Sequence, residues 1–102
     1  MVKMSVMYVG QPADPAAFDA YYWKTHLPTV EKWPGIRRIT IATGAPGDEF
    51  YQIAERWFDS RADLDMALAS PERKASAEDV KRFPEFRGQI KRQIFQVTSY
   101  WP

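Results

Sequence analysis

The sequence predicts an α+β fold of order β-α-β-β-α-β, in which a four-stranded antiparallel sheet carries its helices on one face. Three observations lead to it. Four stretches (residues 2–9, 36–43, 50–58 and 90–101) have the alternation or β-branched and aromatic enrichment of strands. Two helical stretches with cap residues separate the first strand from the second and the third from the fourth. The turn-forming run GAPGDE, residues 44–49, joins the second and third strands directly, as a hairpin would. Together these make the split βαβ, ferredoxin-like arrangement.

The first strand alternates Val2, Met4, Val6 and Tyr8 with Lys3, Ser5, Met7 and Val9, so both of its faces are fairly apolar. Residues 10–12 read as a loop. Asp14 then offers a carboxylate to the open N–H groups of a helix, and Pro15 stands at its first position, where a missing N–H costs nothing. Helical spacing puts Phe18, Tyr22, Thr25, His26, Thr29 and Trp33 on one stripe. Pro28 leaves the Lys24 carbonyl without its helical donor and predicts a kink or break near Leu27; Pro34-Gly35 ends the segment. In the third strand Tyr51, Ile53, Glu55 and Trp57 share one face, and Gln52, Ala54, Arg56 and Phe58 the other. The second helical stretch is broken in two: Ser60 caps residues 61–69, and Ser70 with Pro71 restarts a helix running to about Phe83, stopped by Pro84. Residues 86–89 read as loop before the last strand.

A sheet with helices on one face has a second face to account for. Large apolar side chains on both faces of strands one, three and four predict a second copy packed sheet to sheet, a symmetric homodimer. At 102 residues the chain predicts one domain, 1–102, small enough to gain from such a partner.

Composition excludes several functions. With 14 basic and 13 acidic residues the net charge is +1, and the basic pairs are scattered, so no nucleic-acid partner is expected. There is no cysteine, which removes disulfides, Cys–metal sites and thiol nucleophiles. No apolar run approaches the roughly 18 residues of a membrane span. No secretory leader is legible, and the expectation is a cytoplasmic protein without membrane contact. One histidine and no cysteine cannot build a typical zinc set. No glycine-rich phosphate loop or G-x-S-x-G elbow occurs. The expectation is therefore no metal and no other cofactor; a haem held by His26 alone is the weaker reading.

What remains is a pocket. His26, the only histidine, lies among aromatics on the inward stripe, at a backbone irregularity of the kind that gathers at functional sites. Read as chemistry, His26 is a general acid/base on an enolisable carbonyl compound, and Tyr22 donates to the developing oxyanion. Read as structure, His26 is a core residue with both nitrogens satisfied. Tyr51 and Trp57, or else Phe58, face it from the third strand, depending on register. Phe83 and Phe86 flank the break after the second helical stretch as a lid. Such an apolar cavity suits a flat hydrophobic or aromatic ligand. Asp79 reads first as a surface carboxylate paired with Lys or Arg, and second as the group that orients a histidine. Glu55, a charge in mid-strand, needs a partner, in a pocket or across a subunit boundary.

Residues 18–28 (FDAYYWKTHLP) with 34–38 (PGIRR) resemble the signature of EthD-domain proteins, named for a component of ethyl tert-butyl ether degradation. Residues 53–60 (IAERWFDS) and 70–83 (SPERKASAEDVKRF) resemble the family's third strand and second helix. The resemblance implies a dimeric α+β barrel. It also implies relatives that include cofactor-free polyketide cyclases, quinone-forming monooxygenases, muconolactone isomerases and haem-handling enzymes. The histidine of the H-x-P motif maps onto His26. Many members carry an acidic residue in the last strand where this chain has Arg92-Gln93, which weakens any acid-dependent mechanism transferred from them. The expected function is a small cofactor-independent enzyme of catabolism or secondary metabolism: an isomerase, cyclase or monooxygenase acting on a hydrophobic metabolite. The alternative is a non-catalytic accessory protein that binds such a ligand.

Overall fold

In the computed structural model, which describes all 102 residues, the first apolar alternation becomes an interior strand of the sheet. Strand β1 (Val2–Pro12) lies between β3 (Phe50–Phe58) and β4 (Phe86–Gln96). β2 (Arg38–Thr43) forms the far edge, giving the order β2-β3-β1-β4 with every neighbouring pair antiparallel. This is the predicted four-stranded sheet with helices on one face. Val2, Met4, Val6 and Tyr8 of β1 are buried beneath the helices. So are their cross-strand partners Phe58, Arg56, Ala54 and Gln52 in β3. Phe18, Tyr22, Leu27, Val30, Trp33, Leu64 and Ala67 complete the core from the helical layer.

Two strand ends differ from the sequence reading. β1 runs through residues 10–12 and β4 begins at Phe86, both read as loops, because Gly10 and Gly88 face one another across the pair. A Cβ on Gly10, at φ +124°, would sit 2.2 Å from the Arg87 carbonyl oxygen. These glycines allow close backbone approach and do not interrupt the strands. β4 stops at Gln96, short of the predicted 101, and Tyr100 and Trp101 are exposed.

Helix α1 (Pro15–Tyr21) starts as predicted, with the Asp14 carboxylate accepting from the Ala17 N–H at 3.1 Å. Of the kink or break expected near Leu27, the structure shows a local irregularity and no break. Tyr22–His26 form a π-helical turn that leads without interruption into α2 (Leu27–Val30). In α geometry the Pro28 ring would collide with the Lys24 carbonyl; a wider turn relieves this, and the Leu27 N–H reaches back five residues to the Tyr22 carbonyl. The wider turn also rotates the inward stripe, so Tyr22, His26, Leu27 and Val30 are buried and Thr25 is exposed. Helices α3 (Arg61–Leu68) and α4 (Pro71–Val80) are capped by the hydroxyls of Ser60 and Ser70, which accept from the Asp63 and Arg73 N–H groups. α4 ends short of the predicted Phe83.

The helix-free face of the sheet carries Met7, Ile53, Trp57 and Phe95 around a Lys3–Glu55 ion pair, to which Ser5 adds a hydrogen bond of 2.8 Å. Glu55 thus finds its partners within its own sheet. A shallow groove of about 500 Å³ runs over this face past Lys3, Ser5, Met7 and Ile53 to Phe95. No helix is long and apolar enough to cross a membrane.

Candidate functional site

The π turn carries His26 into the interior, where the residue is 2 % exposed. Its Nδ1 lies 2.9 Å from Oδ2 of Asp79 on α4. Asp79 is itself buried, at 6 % exposure, and accepts a second hydrogen bond, 2.6 Å from the Tyr21 hydroxyl, on Oδ1. Of the two readings of Asp79, the structure therefore gives the orienting carboxylate. The surface ion pair is only a remnant, with Arg82 4.0 Å away. Burial alone would push the Asp79 carboxyl up, but the bonds from Tyr21 and His26 outweigh it and hold the carboxyl below its ordinary value. His26 is lowered, first by burial and also by nearby Arg56 and Arg92, against the raising effect of Asp79. The imidazole is thus neutral at pH 7, with Nδ1–H donating to Asp79 and Nε2 left as an acceptor.

A second set of contacts fixes the backbone beneath the ring. The Trp33 indole N–H donates to Ser76 Oγ at 2.9 Å, Ser76 Oγ lies 2.8 Å from Thr29 Oγ1, and Thr29 Oγ1 donates to the His26 carbonyl at 2.7 Å. With every hydroxyl donating in the same sense, this chain ties α4 to the π turn. Ser76 and Asp79, three residues apart on α4, hold the His26 backbone and ring respectively.

His26 borders a cavity of about 30 Å³ between the sheet and α4. Met4, Val6 and Tyr8 of β1 form part of its floor, Val80 and Ala77 part of its roof, and three arginines reach it: Arg56 from β3, Arg73 from α4 and Arg92 from β4. The enclosed space opens to the surface and admits a small group of a ligand, not a whole flat aromatic molecule. The predicted oily hollow is therefore a small, cation-lined one.

The other predicted site residues divide. Tyr22 is buried 5.3 Å from the His26 ring centroid, and its hydroxyl lies beside Tyr8 and Arg56 without a well-aligned hydrogen bond to either. Burial raises its pKa, so it stays a neutral donor, but Tyr8 and not Tyr22 lines the cavity. Phe83 meets the His26 ring edge to face at 4.7 Å. Phe86 packs on Tyr8 and Phe18 at the start of β4. Both belong to a packed aromatic cluster and to no lid. Tyr51 also reaches the helical side, because the β1–β3 register shifts between Tyr8 and Val9 and leaves Tyr51 without a partner opposite. Its hydroxyl donates to Asp19 at 2.6 Å and is pushed up to about 12 by burial and by that bond. Trp57 is separated from all of them. It lies on the helix-free face, 5.0 Å from the Lys3 ammonium, with its indole N–H directed to Thr40 at 3.3 Å. Alternation from buried Phe58 and Arg56 forces it there.

Arg56 is the residue that sequence reasoning missed. It is 3 % exposed, its Nε has no hydrogen-bond partner, and its guanidinium lies 5.3 Å from the Trp33 ring. The available signal was its position two residues before an inward Phe58. No group of three His, Cys, Asp or Glu side chains is gathered as a metal site.

The EthD domain model matches residues 10–87, a span that holds the π turn, His26 and Asp79. The chain belongs to the EthD-domain family. This EthD chain is 36 % identical over 88 residues to an uncharacterized 11.0 kDa protein in the thcB-thcC intergenic region of Rhodococcus erythropolis, covering 81 % of this chain and 84 % of that one. An EthD family protein from Bacillus halodurans superposes with a TM-score of 0.84 at 32 % identity, over 96 % of this chain and 99 % of that one. SnoaB, a cofactor-independent oxygenase from Streptomyces nogalater, gives 0.68 at 18 % identity, over 99 % and 95 %; at that identity the likeness is one of fold.

Proposed function

We propose that this EthD-domain protein is a small cofactor-independent enzyme that moves a proton on a hydrophobic or aromatic metabolite, with Nε2 of His26 as general acid/base. The observation that carries this reading is the orientation of the only histidine: Asp79 holds Nδ1, and the neutral ring borders a cavity shared with a buried guanidinium. A C–H proton passes to Nε2, negative charge collects on the adjoining oxygen near Arg56, and the proton returns at a second position. Isomerisation and cyclisation need no further reactant; oxygenation takes dioxygen as second substrate. The cofactor-independent oxygenase SnoaB supports the fold's capacity for such chemistry.

The test is His26→Gln, assayed on lactones, polyketides and hydroquinones. Turnover is expected to fall at least about a hundredfold. Wild-type turnover in the variant overturns the role. A wild-type protein that binds these compounds without turnover, with affinity unchanged in His26→Gln, would instead be the ligand-binding accessory protein.

We propose further that two copies pair through the helix-free faces. Met7, Ile53, Trp57 and Phe95 give that face an apolar surround, and the Lys3–Glu55 pair is internally neutral. Ile53→Asp is expected to weaken self-association by about a hundredfold. Light scattering reads this directly, and a wild-type monomer at micromolar concentration refutes the pairing.

A further inference from the structure

Arg56 is buried without a carboxylate partner: the fold sets only the Trp33 ring and the neutral Tyr22 and Tyr8 phenols beside it. None of the ion pairs in the molecule includes Arg56, Arg73 or Arg92. Yet all three line one cavity, and no Asp or Glu lines it with them. A guanidinium withdrawn from water costs several kcal/mol unless an anion or several acceptors meet it. The Trp33 ring face offsets only part of that, and Nε has no partner.

We infer that this cavity is a carboxylate subsite and that the substrate of the His26 site is a carboxylic acid. The inference rests on the reading of His26 as the acid/base. The cavity is small, about 30 Å³, so what enters it is a compact anionic group and not the bulk of a ligand. A planar guanidinium fork also matches a carboxylate in geometry. Arg56 is the buried donor at the closed end. Arg92 and Ala77 are exposed, so the cavity opens between α4 and β4, and the carbon skeleton leaves by that mouth. Arg73 and Arg92 stand there to draw the anion in. A carboxylate so held puts its neighbouring carbon beside the imidazole.

The test is a backbone-amide NMR titration at pH 7 with sodium benzoate and its neutral analogue benzamide. Saturable shifts at cavity-lining amides are expected with benzoate and not with benzamide. Arg92→Met, a change on the exposed edge strand that leaves the core intact, is expected to weaken benzoate about tenfold, and Arg56→Met to abolish binding. Equal binding of benzamide, undiminished binding in Arg92→Met, or no benzoate binding would each overturn the subsite. Failure of the two readings is separable. No benzoate binding alongside His26-dependent turnover removes the subsite alone. Retained benzoate binding with a fully active His26→Gln removes the acid/base role alone.

Discussion

Asp79→Ala is expected to lower stability by about 3 kcal/mol and turnover by about a hundredfold. One carboxylate receives both the His26 Nδ1–H and the Tyr21 hydroxyl, at 2.9 and 2.6 Å, in a place that is 6 % exposed. Removing it strands one buried donor, frees the tautomer of the imidazole and leaves a small void between α4 and the π turn. Thermal unfolding at pH 7 should show a midpoint lower by about 15 °C. A shift corresponding to under about 1 kcal/mol would mean that the His26–Asp79 bond is incidental. The pH dependence follows from the same pair. The folded pKa of His26 is lowered, so below its ordinary value of about 6.5 the unfolded chain binds the proton first. Stability therefore falls as pH drops from about 6.5 toward the folded pKa of His26. The folded pKa of Asp79 is also lowered, so its contribution is present above the ordinary carboxyl range and is lost as pH falls through the depressed value. Both losses lie on the acid side. With only one histidine in the chain, His26→Gln should remove the upper limb and reduce the lower one, which the Tyr21 bond still sustains.

The pair also marks where sequence reasoning stops. The order of elements along the chain, the Asp14, Ser60 and Ser70 caps and the inward placement of His26 were legible, because each depends on local spacing or cap chemistry. Asp79 was legible only as one of two possibilities. It is 53 residues from His26, and spacing along a helix does not say which side meets a distant partner. Pro28 was read as the source of a kink or break, without saying which, and the irregularity it causes is a π turn. Its steric demand has two local solutions, and the Trp33–Ser76–Thr29 chain holds the helix in the wider turn. Tyr51 and Trp57 were assigned to one face by strict alternation, which the register shift beside Tyr8 interrupts. Arg56 was placed on the Phe58 face, but which face turns inward depends on a register that spacing along one strand does not give.

Arg56→Met should separate stability from function more sharply than any other single change. Methionine has a similar reach, is unbranched and carries no group that requires a partner, so it can occupy the same channel against Met4 and Trp33. The substitution removes an unpaired buried cation and its orphan Nε. Against that stands the loss of its contact with the Trp33 ring, worth about 0.5–2 kcal/mol. Replacing buried ionic groups by apolar ones of similar volume is often neutral to stabilising, and the expected net gain here is about 1–2 kcal/mol in urea unfolding at pH 7. Activity should move the other way, because the group that would meet substrate charge is gone. The same pair of proteins gives a ligand criterion: saturating benzoate should raise the unfolding midpoint of the wild type and leave that of Arg56→Met unchanged. A variant destabilised by more than about 1 kcal/mol that still responds to benzoate would mean that Arg56 supports the fold and not the ligand. A more stable, inactive and benzoate-blind variant is the expected result, in which a strained buried charge is retained for what it binds.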